Sequence, residues 1–200
     1  MRVNNFKKIL LICFLLFSFN TIGIAQNENV LNNAPYDVCF TPGGNCTQLI
    51  VNKINAATES IFVQAYSFTS APIAKALVNA SKRRVVVNVI LDKTQIKNNQ
   101  YSSAKFLIGQ GITTYIDYKP AIAHNKMIII DGQTVITGSF NFTKAAQLHN
   151  AENLLVIKDQ ELAKKYLANW YDRREKSILA DEYYSKPQSR RKAHKQYYFG

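Results

Sequence analysis

Residues 121–143 read AIAHNKMIIIDGQTVITGSFNFT, and they give the clearest indication of how this chain folds. Two segments that look like strands, residues 121–130 and 134–137, are joined at the dipeptide Asp131-Gly132. Asp-Gly between two apolar runs is a strong signal for a tight hairpin turn, because these residues tolerate the positive φ angles that such a turn needs. The stretch therefore predicts a pair of antiparallel strands.

Strands and helices are predicted to alternate on both sides of this hairpin. Runs of β-branched apolar residues predict further strands, whereas apolar residues spaced three or four apart predict amphipathic helices. The further strands are predicted at residues 60–66, 85–91, 113–116 and 153–157, and the helices at residues 47–58, 70–82, 101–108, 143–148 and 160–179. This alternation predicts an α/β fold in which a layered, mixed β-sheet is flanked by helices.

Residues 1–25 are predicted to be a signal peptide. Positive charges precede an apolar run at residues 9–19, and the small residues Gly23 and Ala25 follow it. This order is typical of a secretory signal peptide, and the run is shorter than the about 20 residues that cross a bilayer. An uncleaved anchor is the alternative. We expect the protein to be secreted or periplasmic.

The remainder of the chain is predicted to be one domain followed by a tail. A chain of 200 residues can bury one substantial core but is too short for two large domains. We predict the domain at residues 26–180 and a basic, mobile tail at residues 181–200. The positive charges of that tail are Lys186, Arg190, Arg191, Lys192 and Lys195.

The charge of the chain indicates a polyanionic partner. Lysine and arginine total 25 against 13 acidic residues, which gives a net charge of +12. Removal of residues 1–25 takes away three positive charges and no acid, so the mature chain keeps +9. A protein this basic commonly meets nucleic acid, an anionic lipid surface or a phosphorylated substrate. The 47% hydrophobic content excludes a disordered chain.

Cys39 and Cys46 flank the turn-forming sequence FTPGGN. Glycine and proline at the centre of this loop favour a tight reversal, which brings its ends together. In an oxidising compartment the two cysteines would form a disulfide, and two free thiols are the alternative. Two cysteines without an adjacent pair of histidines do not make a zinc site, and no metal is expected here.

The hairpin carries two polar motifs. His124 and Lys126 are spaced i, i+2, and Ser139 and Asn141 repeat that spacing after the second strand. Residues two apart on a strand project from the same face, so each pair would point together. A cation with hydroxyl and amide donors suits the non-bridging oxygens of a phosphodiester. Histidine can act as a nucleophile or as an acid and base near neutral pH.

These motifs resemble those of the phospholipase D superfamily, whose mark is H-x-K-x-x-x-x-D followed by G-S/T-x-N. The likeness is greatest to the short bacterial branch with a single motif, which contains a periplasmic endonuclease and secreted phospholipase D enzymes. It also covers AYSFT at residues 65–69, GSFNFTKAA at residues 138–146 and the pair Glu152-Asn153. The loop from Cys39 to Cys46 resembles the secreted phospholipases more than the endonuclease. The resemblance implies the phospholipase D-like fold for residues 38–174.

The resemblance also implies a two-step mechanism that needs no metal or other cofactor. One histidine attacks phosphorus and forms a phosphohistidine, and a second protonates the leaving oxygen and then activates water. By this likeness His124 is nucleophile or acid, Lys126, Ser139 and Asn141 bind phosphate, and Glu152 holds the imidazole. Asp131 completes the catalytic motif, but five residues beyond Lys126 on a strand it faces the other way, which favours a structural role.

The mechanism needs two histidines, and the motif occurs once. His149 and His194 have no lysine two residues later. A homodimer with a two-fold axis would bring two copies of His124 to one phosphorus atom. Tyr66, Ser67 and Phe68 are expected either to line the mouth of the pocket or to belong to the core.

Three functions follow, in order of preference. The first is an exported phosphodiesterase that converts phosphatidylcholine to phosphatidate and choline. The second is the same chemistry on DNA or RNA, which the basic charge also fits. The third is a basic binding protein with a degenerate site, against which the complete set of motif residues argues. The expected partners are a phospholipid or nucleic-acid substrate, a second copy of the chain and an anionic membrane surface.

Overall fold

The computed structural model describes residue 31, residues 33–97 and residues 103–185. The strands in this part of the chain are β1 (Tyr36–Thr41), β2 (Ser60–Ala65), β3 (Val86–Asp92), β4 (Thr113–Asp117), β5 (Lys126–Ile130), β6 (Thr134–Gly138), β7 (Glu152–Lys158) and β8 (Ile178–Leu179). The helices are α1 (Cys46–Asn55), α2 (Ala71–Lys82), α3 (Thr94–Lys97), α4 (Ser103–Gly109), α5 (Lys144–Leu148), α6 (Gln160–Glu175) and α7 (Ala180–Ser185).

The strands form one mixed sheet in the order β1-β7-β6-β5-β2-β3-β4-β8. The strands β2, β3 and β4 are parallel to their neighbours in that group, and the other pairings are antiparallel. The predicted α/β fold with a mixed sheet between helices is therefore confirmed. The predicted hairpin is β5–β6, and its turn residues Asp131 and Gly132 both have positive φ angles, 52° and 61°.

The sheet has a different helical layer on each face. On one face, which we call the α2 face, Ile61 and Val63 of β2 belong to a large core with residues of α1, α2 and α4. On the other, the α6 face, Met127 and Ile129 of β5 pack with Trp170 of α6. The indole of Trp170 donates a 2.9 Å hydrogen bond to the carbonyl of Val63, which fixes α6 against the sheet.

The first strand of the hairpin is shorter than predicted. It was expected at residues 121–130, but β5 begins at Lys126, so His124 precedes the strand. The amide of Ala123 donates a 2.7 Å hydrogen bond to the carboxylate of Asp92, which holds this segment away from a strand ladder. The apolar residues at 121–123 resemble a strand in the sequence. In the structure the backbone amide of Ala123 bonds to the Asp92 side chain and not to a neighbouring strand.

The C-terminal end of the domain also differs from the prediction. The helix expected at residues 160–179 ends at Glu175, and Ile178–Leu179 pair with β4 at the edge of the sheet. The next helix, α7, begins with Ala180, which is fully buried. The domain therefore continues past residue 180, and residues 181–185 are helical rather than part of an extension. The predicted signal peptide and residues 186–200 lie outside the described residues.

The cysteine loop adopts the pairing that its sequence favours. Cys39 and Cys46 form a disulfide, with their two Cα atoms 5.5 Å apart. The disulfide links β1 to the first turn of α1, where the side chain of Asn45 caps the helix by accepting a hydrogen bond from the amide of Gln48.

Among the helices of the described residues, none combines the length and apolarity required to span a bilayer.

Candidate active site

The candidate site lies at one end of the sheet, where β2 and β6 end and β5 and β7 begin. Because β5 and β6 form an antiparallel hairpin, the start of β5 is next to the end of β6. Lys126 pairs with Ala65 of β2, and Gly138 pairs with Leu154 of β7. This topology brings His124, Lys126, Ser139 and Glu152 to the same edge, although they are up to 28 positions apart in the sequence.

Lys126 is buried at this edge with its ammonium group directed at the site. Lys126 is only 8% exposed, and its Nζ donates a 2.8 Å hydrogen bond to the carbonyl oxygen of His124. Nζ also lies 5.1 Å from the centre of the Tyr66 ring. A lysine has three N–H donors, so two have no hydrogen-bond partner among the described residues and can bind an anion.

Burial lowers the pKa of Lys126 from its usual value, because a desolvated ammonium is less stable than a neutral amine. The negative charge of Glu152 partly opposes this lowering of the pKa. The site therefore holds a cation with incomplete compensation, and a bound phosphate would supply the missing negative charge.

The imidazole of His124 is exposed beside Lys126. Its ring centre lies 4.6 Å from that of Tyr66, with the two rings tilted at 56°. Within the described part of the chain, no hydrogen bond reaches the imidazole. Both ring nitrogens are thus available to a substrate, and the tilted contact with Tyr66 limits the positions that the ring can take.

Glu152 does not contact His124 in the way that the resemblance implies. Its Oε2 accepts a 2.6 Å hydrogen bond from the hydroxyl of Ser139, and its Oε1 accepts a 2.9 Å bond from the amide of Asn150. The expected hydrogen bond between Glu152 and His124 is absent from these described residues. Glu152 instead organises the loop after β6 and acts on Lys126 through its charge.

Steric constraints explain why the first residue of the G-S-x-N motif, Gly138, is a glycine. Gly138 has a φ angle of 143°, which side-chain-bearing residues rarely adopt. A Cβ at this position would also clash with the backbone oxygen of Asn153 on β7. That same oxygen accepts from the amides of Ser139 and Phe140, at 3.1 and 3.2 Å. Gly138 therefore allows the close approach of β7 that positions Ser139.

Asn141 keeps unused hydrogen-bonding capacity. Its side-chain oxygen is buried and has no partner among the described residues. A buried polar atom without a partner costs about 1–3 kcal/mol, so such atoms are concentrated where a ligand or water completes them. The unpartnered atom is an acceptor, whereas phosphate binding needs the amide nitrogen as donor, so the phosphate-binding role of Asn141 stays a prediction.

Asp131 lies at the opposite end of β5, away from His124. Its carboxylate accepts hydrogen bonds from the amides of Thr58, Glu59 and Ser60 at 2.8–2.9 Å and from the Thr58 hydroxyl at 3.0 Å. These contacts give Asp131 a structural place at the hairpin turn, as we expected, and a direct catalytic role for it has no support in its contacts. As its position on the strand predicts, the side chain of Asp131 points away from the site that holds Lys126.

Of the residues expected at the mouth of the pocket, only Tyr66 has ring contacts with the site. Phe68 is completely buried and packs edge to face on Phe142, with ring centres 5.8 Å apart, so it belongs to the core. Ser67 is half-buried, and no contact in the structure assigns it a role. The ring of Tyr66 contacts both His124 and Lys126 and so joins the two motif residues.

A cleft of about 380 Å³ opens at the site on the α6 face. It is lined by His124, Asn125, Lys126, Met127, Thr137, Gly138, Lys165, Tyr166 and Asn169. The three residues from α6 were missed by sequence reasoning, because on an exposed helix they resemble ordinary surface positions. The spacing of Lys165 and Asn169, four residues apart on one helical face, was the available signal.

The arrangement can bind and attack a phosphodiester. The exposed imidazole of His124 and the buried ammonium of Lys126, which has spare donors, line one cleft. Among the described residues, no group of three histidine, cysteine, aspartate or glutamate side chains lies together as a metal site.

Known proteins are similar to this chain in sequence and in fold. The family described as cardiolipin synthase, PLD-like domain, matches residues 50–173. A protein of Rickettsia conorii named phospholipase D is 48% identical over 148 residues, which is 74% of each chain. The structure of a phospholipase D family member, Nuc from Salmonella typhimurium, has 39% identity and a TM-score of 0.69 over 73% of this chain and 97% of its own. NucT from Helicobacter pylori has 26% identity and a TM-score of 0.68 over 73% of this chain and 99% of its own.

Proposed function

Because this chain belongs to the phospholipase D superfamily, in its single-motif bacterial branch, we propose that it hydrolyses phosphatidylcholine to phosphatidate and choline. Membership of the family makes the chain a phosphodiesterase of the phospholipase D type. The observation that carries the proposal is the pairing of exposed His124 with buried Lys126 at one cleft.

In the first step, a ring nitrogen of His124 attacks phosphorus and the bond from phosphorus to the headgroup oxygen breaks. The leaving oxygen takes a proton from a second imidazole, so choline departs with a protonated hydroxyl and not as an alkoxide, and a phosphohistidine remains. In the second step, that imidazole removes a proton from water, which attacks phosphorus and releases phosphatidate and His124. The two spare donors of Lys126 hold the non-bridging oxygens through both steps.

The second imidazole is proposed to come from a second copy of the chain. Among the described residues, His149 is the other histidine, and it ends helix α5, where its amide donates to the carbonyl of Ala145. Its position does not repeat the motif. A two-fold axis at the cleft would supply His124, Lys126, Ser139 and Asn141 from both chains.

The choice of a phospholipid substrate is supported by the relative named phospholipase D in Rickettsia conorii. Cleavage of DNA or RNA by the same metal-independent chemistry is the second candidate. The likeness to Nuc and NucT and the charge of +12 favour it. Export of the protein and contact with an anionic membrane surface are further parts of the proposal, based on residues 1–25 and on the basic charge.

The experiment offers the purified protein phosphatidylcholine vesicles and supercoiled DNA side by side, with EDTA in both reactions. His124→Asn tests the site, and His149→Asn is the matched control because His149 is an exposed histidine outside the motif. The proposal predicts choline release by the wild type and by His149→Asn, and none by His124→Asn. Nicking of DNA without choline release would establish the nuclease instead, and binding without turnover would establish a degenerate site.

A further inference from the structure

One aromatic ring contacts both His124 and Lys126. Its residue, Tyr66, directly follows Ala65, the last residue of β2, and Ala65 pairs with Lys126. The amide of Tyr66 donates a 2.8 Å hydrogen bond to the carbonyl of Asn125, which continues the contact between the two segments beyond the strand. This backbone bond fixes the base of the Tyr66 side chain beside the segment that carries His124.

The ring of Tyr66 restricts the imidazole of His124. The two ring centres are 4.6 Å apart at a tilt of 56°, which is within the range of a favourable aromatic pair. The imidazole belongs to an exposed residue, and no hydrogen bond among the described residues fixes its orientation. Within the described part of the chain, the ring of Tyr66 is therefore the contact that limits where the ring nitrogens of His124 point.

The same ring lies close to the ammonium of Lys126. Nζ is 5.1 Å from the ring centre, within the about 6 Å of a cation–π contact. Lys126 is buried, yet none of the ion pairs of the described residues includes it. A carboxylate bonded to Nζ would occupy the donors that phosphate needs. An aromatic ring stabilises the positive charge and leaves those donors open.

Titratable side chains from four parts of the fold surround the ammonium. They are Tyr66 after β2, His124 before β5, Glu152 of β7, and Lys165 and Tyr166 of α6. The charges of Lys165 and of a protonated His124 disfavour the ammonium, and the charge of Glu152 favours it. Because the carboxylate of Glu152 is bonded to Ser139 and Asn150, the ring of Tyr66 and the carbonyl of His124 are the groups that favour the ammonium at close range.

We propose that Tyr66 is a positioning residue for phosphodiester hydrolysis, whose ring directs the imidazole of His124 and stabilises the ammonium of Lys126 without occupying its phosphate-binding donors. The proposal rests on the proposed function, which gives these two residues their roles. It applies to a lipid and to a nucleic-acid phosphodiester alike, because Tyr66 acts on groups of the protein and not on the alcohol that leaves.

The test follows kcat and kcat/KM from pH 6 to 10.5 on bis(4-nitrophenyl) phosphate, a chromogenic phosphodiester. Tyr66→Leu removes the ring and Tyr66→Phe keeps it. Tyr184→Leu is the matched control, because Tyr184 is also half-buried and its ring centre lies 5.5 Å from the ammonium of Lys105, which does not line the cleft. Circular dichroism and thermal unfolding establish that each variant is folded, and Tyr66→Met replaces a Tyr66→Leu protein that does not fold.

A second measurement needs no turnover. Calorimetric titration with inorganic phosphate over the same pH range reports the charge of Lys126 through the affinity for phosphate. It therefore examines the contact between Tyr66 and Lys126 separately from the chemistry at His124.

In Tyr66→Leu we expect kcat at pH 7 to fall about tenfold and the alkaline fall in kcat/KM to begin about one pH unit lower. The direction follows because loss of the cation–π contact destabilises the ammonium, which then loses its proton at a lower pH. Phosphate affinity should decline at the same lower pH. Tyr66→Phe should recover both properties, and Tyr184→Leu should change neither.

A folded Tyr66→Leu protein with the kcat and the alkaline fall of the wild type overturns the proposal, since a purely structural residue would change stability alone. A Tyr66→Phe protein as impaired as Tyr66→Leu also overturns it and assigns the effect to the hydroxyl. If the wild type hydrolyses no phosphodiester, the proposed function fails. The titration with inorganic phosphate then decides, and an unchanged pH dependence of phosphate affinity in Tyr66→Leu overturns the role of the ring.

Discussion

The hydroxyl of Ser139 donates a 2.6 Å hydrogen bond to Oε2 of Glu152. The proton expected to bind phosphate is thus already engaged in the free protein. The oxygen of Ser139 in turn accepts from the backbone amide of Asn153 at 3.0 Å. Ser139 and Glu152 therefore form one unit, and a phosphate must either rotate the hydroxyl or be held by the other donors.

The first prediction concerns this pair. Ser139→Ala and Glu152→Gln should each lower kcat/KM, and the double variant should lose less than the sum of the two effects. The reason is that either change breaks the same charge-assisted hydrogen bond. We expect a coupling of about 1–2 kcal/mol in the activation free energy from a double-mutant cycle. Additive losses would show that the two residues act separately.

The second prediction concerns the charge of Lys126. Burial lowers its pKa, so the ammonium loses its proton at a lower pH than an ordinary lysine, and phosphate binding weakens as the pH rises through that value. The kcat/KM profile between pH 7 and 10.5 should fall on its alkaline side. Lys126→Arg keeps its charge over this range, so its profile should lack that fall, although its absolute rate is lower. An identical alkaline fall in Lys126→Arg would assign the titration to another group.

The third prediction separates Asp131 from catalysis. Partial burial raises the pKa of Asp131, but the hydrogen bonds from Ser60, Thr58 and Glu59 outweigh this and hold it below 3.8. Its stabilising effect is complete above pH 3.8 and disappears as the pH falls through the lowered value. Asp131→Asn should lower the free energy of unfolding at pH 7 by about 1–2 kcal/mol.

Two measurements check this assignment. Urea unfolding at pH 7 and at decreasing pH should show the variant and the wild type converging in acid. Turnover per folded molecule should stay at the wild-type level, because Asp131 is at the far end of β5. Unchanged stability together with a large fall in turnover would return Asp131 to the catalytic residues.

The sequence predicted the sheet because the sheet depends on local patterns, and the Asp131-Gly132 turn and the β-branched runs were enough for the hairpin. The i, i+2 argument for His124 and Lys126 does not hold, because β5 begins at Lys126 and His124 precedes it. The two residues nevertheless lie together at one edge, where both contact Tyr66, and their roles stay predictions. The partner of Glu152 could not be predicted, because Ser139 reaches it across two neighbouring strands. The short β5 was missed since Ala123 bonds to Asp92, which is 31 positions away. The α6 side of the cleft depends on tertiary packing around Trp170, and such packing produces no recognisable motif in the sequence.

The fourth prediction tests whether the site is shared. Wild-type chains mixed with His124→Ala chains and allowed to exchange should form mixed dimers with a single catalytic imidazole. Without a general acid, such dimers lose a factor of roughly 10²–10⁴ and contribute almost nothing. Activity should therefore fall as the square of the wild-type fraction, measured as initial rate at constant total protein. A linear fall would mean that each chain works alone.

The central claim is that His124 carries the phosphoryl group during turnover. The direct measurement is an acid-free denaturing quench of the enzyme during hydrolysis of phosphatidylcholine, followed by proteolysis and mass spectrometry of the histidine-containing peptides. We predict a phosphatidyl adduct on the peptide with His124 and unmodified peptides with His149 and His194. Choline release at the wild-type rate by His124→Asn, or an adduct on another residue, would contradict the account.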